Sequence, residues 1–119
     1  MIIYADSLID ERVCSFAGRE AKIHKSASLS LPEIMEIILK AVKDGKRVAR
    51  LQSGDPSIYG ATREQMAVLE NHGIEYEVIP GVSSLSAAAA SLKTELTVPD
   101  ISQTVIITRL EGRTPCSTR

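Results

Sequence analysis

At 119 residues the chain suits one domain and can bury roughly two thirds of its unfolded surface, so a core is available without staples. A net charge of −1, with one Phe, three Tyr and no Trp, gives neither the basic footprint of a nucleic-acid or anionic-membrane binder nor stacking platforms for single strands. Cys14 and Cys116 match no metal-ligand spacing, and neither a signal-type apolar region nor an 18-residue apolar run occurs. The expectation is a cytoplasmic, reducing setting with no metal, no nucleic acid and no membrane.

The first apolar residues, Met1 to Tyr4, read as a short buried strand. Leu8, Ile9, Val13 and Phe16 follow at loosely helical spacing, closed by Gly18. "AKIHKS" is a second strand candidate. The clearest helix is "SLPEIMEIILKAVKDG". Ser30 and Glu33 have capping-box spacing and Pro32 suits the first turn. Ile34, Ile37, Ile38, Ala41 and Val42 make a buried stripe, and Gly45 supplies the left-handed stop.

"RVARL" is the next strand, ending in the turn Ser53-Gly54-Asp55-Pro56. A helix is expected from about Tyr59 to Asn71, with Met66, Val68 and Leu69 inward and His72-Gly73 at its end. "IEYEVI" reads as a strand broken by Pro80-Gly81. "SSLSAAAASLK" reads as a small-residue helix suited to close packing on a sheet. "TVPDIS" is a loop, and "QTVIITRL" a last strand. Strand and helix alternate throughout, which predicts an α/β fold with a mainly parallel sheet and flanking helices.

In such a sheet, ligands sit beyond the carboxyl ends of the strands. Two loops are expected there, Ser53 to Pro56 and Pro80 to Ser84. Gly54 lets backbone approach a ligand closely, and Pro56 fixes the turn. Asp55 either caps the following helix or accepts hydrogen bonds from a ligand. Ser83 and Ser84 sit at a helix start, where backbone N–H groups point outward. The dinucleotide, P-loop and nucleophile-elbow signatures are all absent. His24 and His72 are isolated, and no catalytic residue is named.

The stretches "YADSL", "SGDPSIYGATREQM", "VIPGVSS", "ELTVPD" and "QTVIITRLEGRTP" occur in that order. Together they resemble the tetrapyrrole methylase family, the corrin and porphyrin methyltransferases. The resemblance implies S-adenosylmethionine as methyl donor, bound between two α/β domains. It implies contacts through Ser53, Gly54, Asp55 and Ile58 and, in a second region, through Ser83 and Ser84. It further implies a tetrapyrrole (precorrin) substrate methylated at C11 in cobalamin biosynthesis, and a homodimer for the full-length family. Members begin with a strand and a glycine-rich loop ahead of the segment matching "IIYADSL", and continue well past "EGRTP". Residues 1–102 are therefore expected to be a partial N-terminal domain without its first strand, and 103–119 the start of a truncated second domain. The alternative to an active enzyme is a folded fragment that only binds or self-associates.

Overall fold

The computed structural model describes residues 1–4 and 9–108. The chain divides into two compact units, Met1–Ser84 and Leu85–Arg119.

The first unit holds a parallel sheet of three strands in the order β2-β1-β3, with β1 Ile2–Tyr4, β2 Ile23–Lys25 and β3 Ala49–Leu51. Ile3 of β1 lies opposite His24 on one side and Arg50 on the other. A central parallel strand is covered on both faces and calls for apolar residues; Ile3 is fully buried. Helix α1, Leu31–Lys43, lies over it. Glu33 Oε2 accepts from the Ser30 backbone N–H at 2.7 Å and from Ser30 Oγ at 2.6 Å, which fixes the helix start. Those donors hold the Glu33 carboxyl below its ordinary range, the Ser30 hydroxyl most of all.

At the far end of α1, Lys46 N–H reaches Ala41 O and Gly45 N–H reaches Val42 O, both at 2.9 Å, with Gly45 at φ +70°. Ile34, Ile38 and Ala41 are buried as the stripe predicts, and Ile37 and Val42 pack beside them half-buried. Met35, outside the expected stripe, is buried too. Helix α2, Thr62–Asn71, adds Val68 and Leu69 to the same core, while its Gln65 is buried and donates to Ala61 O at 3.1 Å.

Two expectations for this unit fail. The segment after Asp10 is a 3-10 helix, Glu11–Phe16, with Phe16 91% exposed. With no buried stripe, no apolar face pays the ordering entropy of a full α-helix. Leu8 lies outside the described residues. The expected strand at 74–79 is not a strand either. The Ala49 N–H binds Met1 O at 3.0 Å, so Ala49 faces β1. In a parallel ladder the next residue turns its backbone groups the other way. That side of β3 opens on a groove of about 990 Å³, with residues 46–52 along one wall and 74–79 along the other. Among the described residues, 74–79 join no ladder. Tyr76 Oη donates to Glu70 Oε1 at 2.5 Å and ties the far wall to α2.

In the second unit, helix α3, Ser84–Leu92, has its first residue in the preceding unit, and none of its residues is buried. Lys93 N–H bonds Ala90 O and Thr94 N–H bonds Ala89 O, closing the helix with Lys93 at φ +54°. The expected loop at 97–102 is closed by an antiparallel bridge, Val98 with Ser102. Residues 103–108 form no strand, and Ile106 is 83% exposed. The rest of that expected strand lies outside the described residues, as do Cys116 and "EGRTP". Among the described residues no helix is long and apolar enough to cross a membrane, and no cluster of His, Cys, Asp or Glu could hold a metal.

Candidate functional site

The chain leaves β3 at Leu51 and turns sharply. Gly54 adopts φ +67°, a conformation that L side chains resist. A Cβ built on it would lie 3.7 Å from Ser83 Cα, 3.8 Å from Val82 O and 4.0 Å from Ser84 N. The loop after β3 therefore faces the loop before α3 directly, backbone to backbone. Contact is tighter still at Gly81, where a Cβ would stand 2.1 Å from Gly54 O. Only hydrogen fits there.

Asp55 joins the two loops. Its Oδ1 accepts from the Ser57 backbone N–H at 2.9 Å and from Ser57 Oγ. Its Oδ2 accepts from the Gly81 backbone N–H at 2.9 Å. These bonds hold the Asp55 carboxyl below the ordinary aspartate range, the Ser57 hydroxyl contributing most, then the Ser57 and Gly81 amides. Asp55 is not the cap of α2, whose N-cap is Ala61. The turn continues through Ile58, whose N–H bonds Asp55 O at 3.1 Å, and Thr62 Oγ1 bonds Pro56 O at 2.9 Å. Within it Tyr59 (φ +54°) and Ala61 (φ +48°) are both left-handed. Two such non-glycine residues in three positions are a concentration of strain of the kind found beside functional sites.

Of the residues singled out from sequence, Gly54 and Asp55 meet the loop carrying Ser83 and Ser84. Ser53 precedes them, and Ile58 is tied to Asp55 through the backbone. The two loops do meet, although only the first follows a strand of the sheet. Ser57 and Gly81 were not among the residues singled out. The Asp-Pro-Ser spacing carried the signal for Ser57, since Asp commonly bonds the backbone two residues on. No sequence signal marks Gly81 as the partner, because the contact spans 26 positions.

The groove beside β3 borders this site through Gly54, Pro56 and Gly81, and its floor is apolar, with Met35, Ile38 and Leu69. A second hollow, of about 700 Å³, lies between α1 and the end of α2, lined by Leu39, Lys43 and His72. It lies away from both loops, and His72 there bonds Val68 O at 2.8 Å through Nδ1.

The family model described as Tetrapyrrole (Corrin/Porphyrin) Methylases matches residues 1–118. A cobalt-precorrin-4 C(11)-methyltransferase of Methanocaldococcus jannaschii is 57% identical over 115 residues, covering 97% of this chain and 44% of that protein. A precorrin-4 C(11)-methyltransferase of Pseudomonas aeruginosa is 44% identical over 115 residues, covering 96% and 45%. Among solved structures, a cobalt-precorrin-4 methyltransferase superposes with a TM-score of 0.89 at 44% identity, covering 98% of this chain and 48% of that one. A uroporphyrin-III-C-methyltransferase from Thermus thermophilus gives 0.70 at 28% identity, covering 83% and 43%. The chain thus spans a little under half the length of the relatives it matches.

Proposed function

The chain belongs to the tetrapyrrole (corrin/porphyrin) methylases, and on that premise we propose that its paired loops hold S-adenosylmethionine for methyl transfer to C11 of precorrin-4 or cobalt-precorrin-4 in cobalamin biosynthesis. Ser53, Gly54, Ile58, Ser83 and Ser84 are the residues proposed to contact the donor, with Asp55 proposed as part of the same site. Residues 1–102 are proposed as part of the N-terminal domain and 103–119 as the opening of the second. A homodimeric, cytoplasmic whole enzyme belongs to the same proposal.

The observation that carries the reading is the backbone contact between Gly54 and the loop at 81–84, locked by Asp55. A bound donor supplies an electrophilic methyl on a sulfonium, already a good leaving group. What remains for the protein is alignment, and positioning a methyl against an acceptor carbon can account for roughly 7 to 11 kcal/mol of a barrier. The structure fits that task. Gly54, left-handed at φ +67°, and Gly81, with no room for a Cβ beside Gly54 O, let the two loop backbones meet directly. The Asp55 carboxyl, held below the ordinary aspartate range, keeps a negative charge at the loop junction, which is compatible with a cationic donor.

Calorimetry of the 119-residue chain with S-adenosylmethionine and with S-adenosylhomocysteine tests the reading. Saturable heat with either supports it, and no heat with both overturns it. A second reading, a folded module that binds or self-associates without catalysis, is favoured by the exposed Ile106. Transfer of a labelled methyl group to a precorrin-4 substrate separates the two.

A further inference from the structure

We infer that Asp55 is a positioning residue that sets the spacing of the two donor loops through Gly81, rather than a direct ligand of the donor. The inference rests on the reading of these loops as the donor site.

An ionised carboxylate offers about four acceptor positions. Three are taken from within the chain: two at Oδ1 by the Ser57 amide and hydroxyl, and one at Oδ2 by the Gly81 amide. One acceptor position, at Oδ2, is left for a ligand's ammonium or hydroxyl. The three donors come from both loops, so the carboxylate spans the gap between them. Ser57 anchors Asp55 to its own turn, and Gly81 N–H hangs the second loop from that anchor. The Gly81 approach to Gly54 O leaves no room for any other side chain at that position. The charge-assisted bond and the glycine contact therefore act as one clasp. Through it, Ser83 and Ser84 are held against Gly54. Loops that part by about 1 Å lose much of a preorganised site's advantage.

A ligand role and a clasp role differ in who shares the effect. If Asp55 touches the donor, its loss and the clash created at Gly81 act separately and their effects multiply. If Asp55 clasps the loops, changes at either partner mimic changes at Asp55. Asparagine cannot replace the aspartate, because its NH₂ must face one of the N–H donors.

The test combines donor affinity with a donor-free readout on the 119-residue chain. Calorimetry with S-adenosylhomocysteine compares Asp55→Asn, Gly81→Ala and their double variant. Each single change is expected to weaken binding about tenfold or more, and the double change by no more than two- to threefold beyond the worse single. Ser57→Ala keeps the backbone bond and loses less. In parallel, the Gly81 amide resonance is followed by NMR without ligand. It should move in Asp55→Asn and in Ser57→Ala, and stay put in Gly18→Ala, where a Cβ meets nothing within 4 Å. Independent, multiplicative affinity losses at Asp55 and Gly81 overturn the clasp. So does a Gly81 amide that ignores Asp55→Asn. If the wild-type chain binds no donor while the Gly81 amide still answers to Asp55, the donor site is wrong and the clasp stands.

Discussion

Gly54→Ala should damage the site beyond what it does to the fold, and Gly45→Ala supplies the matched control. Both glycines sit in the left-handed region, at φ +67° and φ +70°. An alanine forced there costs about 1–2 kcal/mol. The surroundings differ. At Gly45 the added methyl meets nothing within 4 Å, whereas at Gly54 it points between the loops, 3.7 Å from Ser83 Cα. That is ordinary contact, so neither variant adds a serious clash inside the protein. Both should lose similar stability, roughly 5–10 °C in Tm for a unit of this size. Only Gly54→Ala should lose donor affinity, by about tenfold or more, because its strain falls on the loop proposed to contact the donor, whereas Gly45 ends α1. Thermal melts followed by circular dichroism and calorimetry with S-adenosylhomocysteine read the two effects separately. Wild-type affinity in Gly54→Ala, or an equal affinity loss in Gly45→Ala, refutes the placement of the donor.

Asp55→Ala should weaken donor binding markedly, and unchanged affinity by calorimetry removes Asp55 from the site. Because its bonds to Ser57 and Gly81 hold Asp55 below the unfolded value of about 3.9, it stabilises the fold above that pH, and the contribution is lost as pH falls through the folded value. Acid unfolding below about pH 4 should therefore be less steep in Asp55→Asn; Glu33, bonded by Ser30, and Asp10, bonded by the Arg12 guanidinium, shift in the same direction and leave a residual slope. Ile38→Ala should cost about 2–5 kcal/mol by urea unfolding, since Ile38 is buried against Ile3 and Ile34 in the core; a loss below 1 kcal/mol contradicts that packing. Ile106→Lys should lower self-association at micromolar concentration, because that residue is exposed in an apolar run; identical sedimentation of the two chains rules out this segment as the cause.

Local chemistry made much of the chain legible. The capping pair Ser30 and Glu33, the apolar period of α1 and the stop at Gly45 all depend on neighbours within a few positions. Those elements form where they are expected. So do the short strands β1, β2 and β3: the central β1 buries Ile3, while β2 (Ile-His-Lys) and β3 (Ala-Arg-Leu) flank it and carry polar residues. The Ser-Gly-Asp-Pro turn also announced itself, because φ > 0 and a fixed turn need those residue types.

Tertiary structure decided what depends on a distant partner. Residues 74–79 have strand composition but lie across a groove from β3, and a strand exists only when its backbone groups have a ladder to join. Val13 and Phe16 have helical spacing but stay exposed, and spacing alone does not stabilise a helix. The role of Asp55 is the clearest case. Its residue type is compatible with a cap, a ligand contact or a clasp. The choice among these is made by Gly81, brought within 2.9 Å of the carboxylate by the fold from 26 positions away.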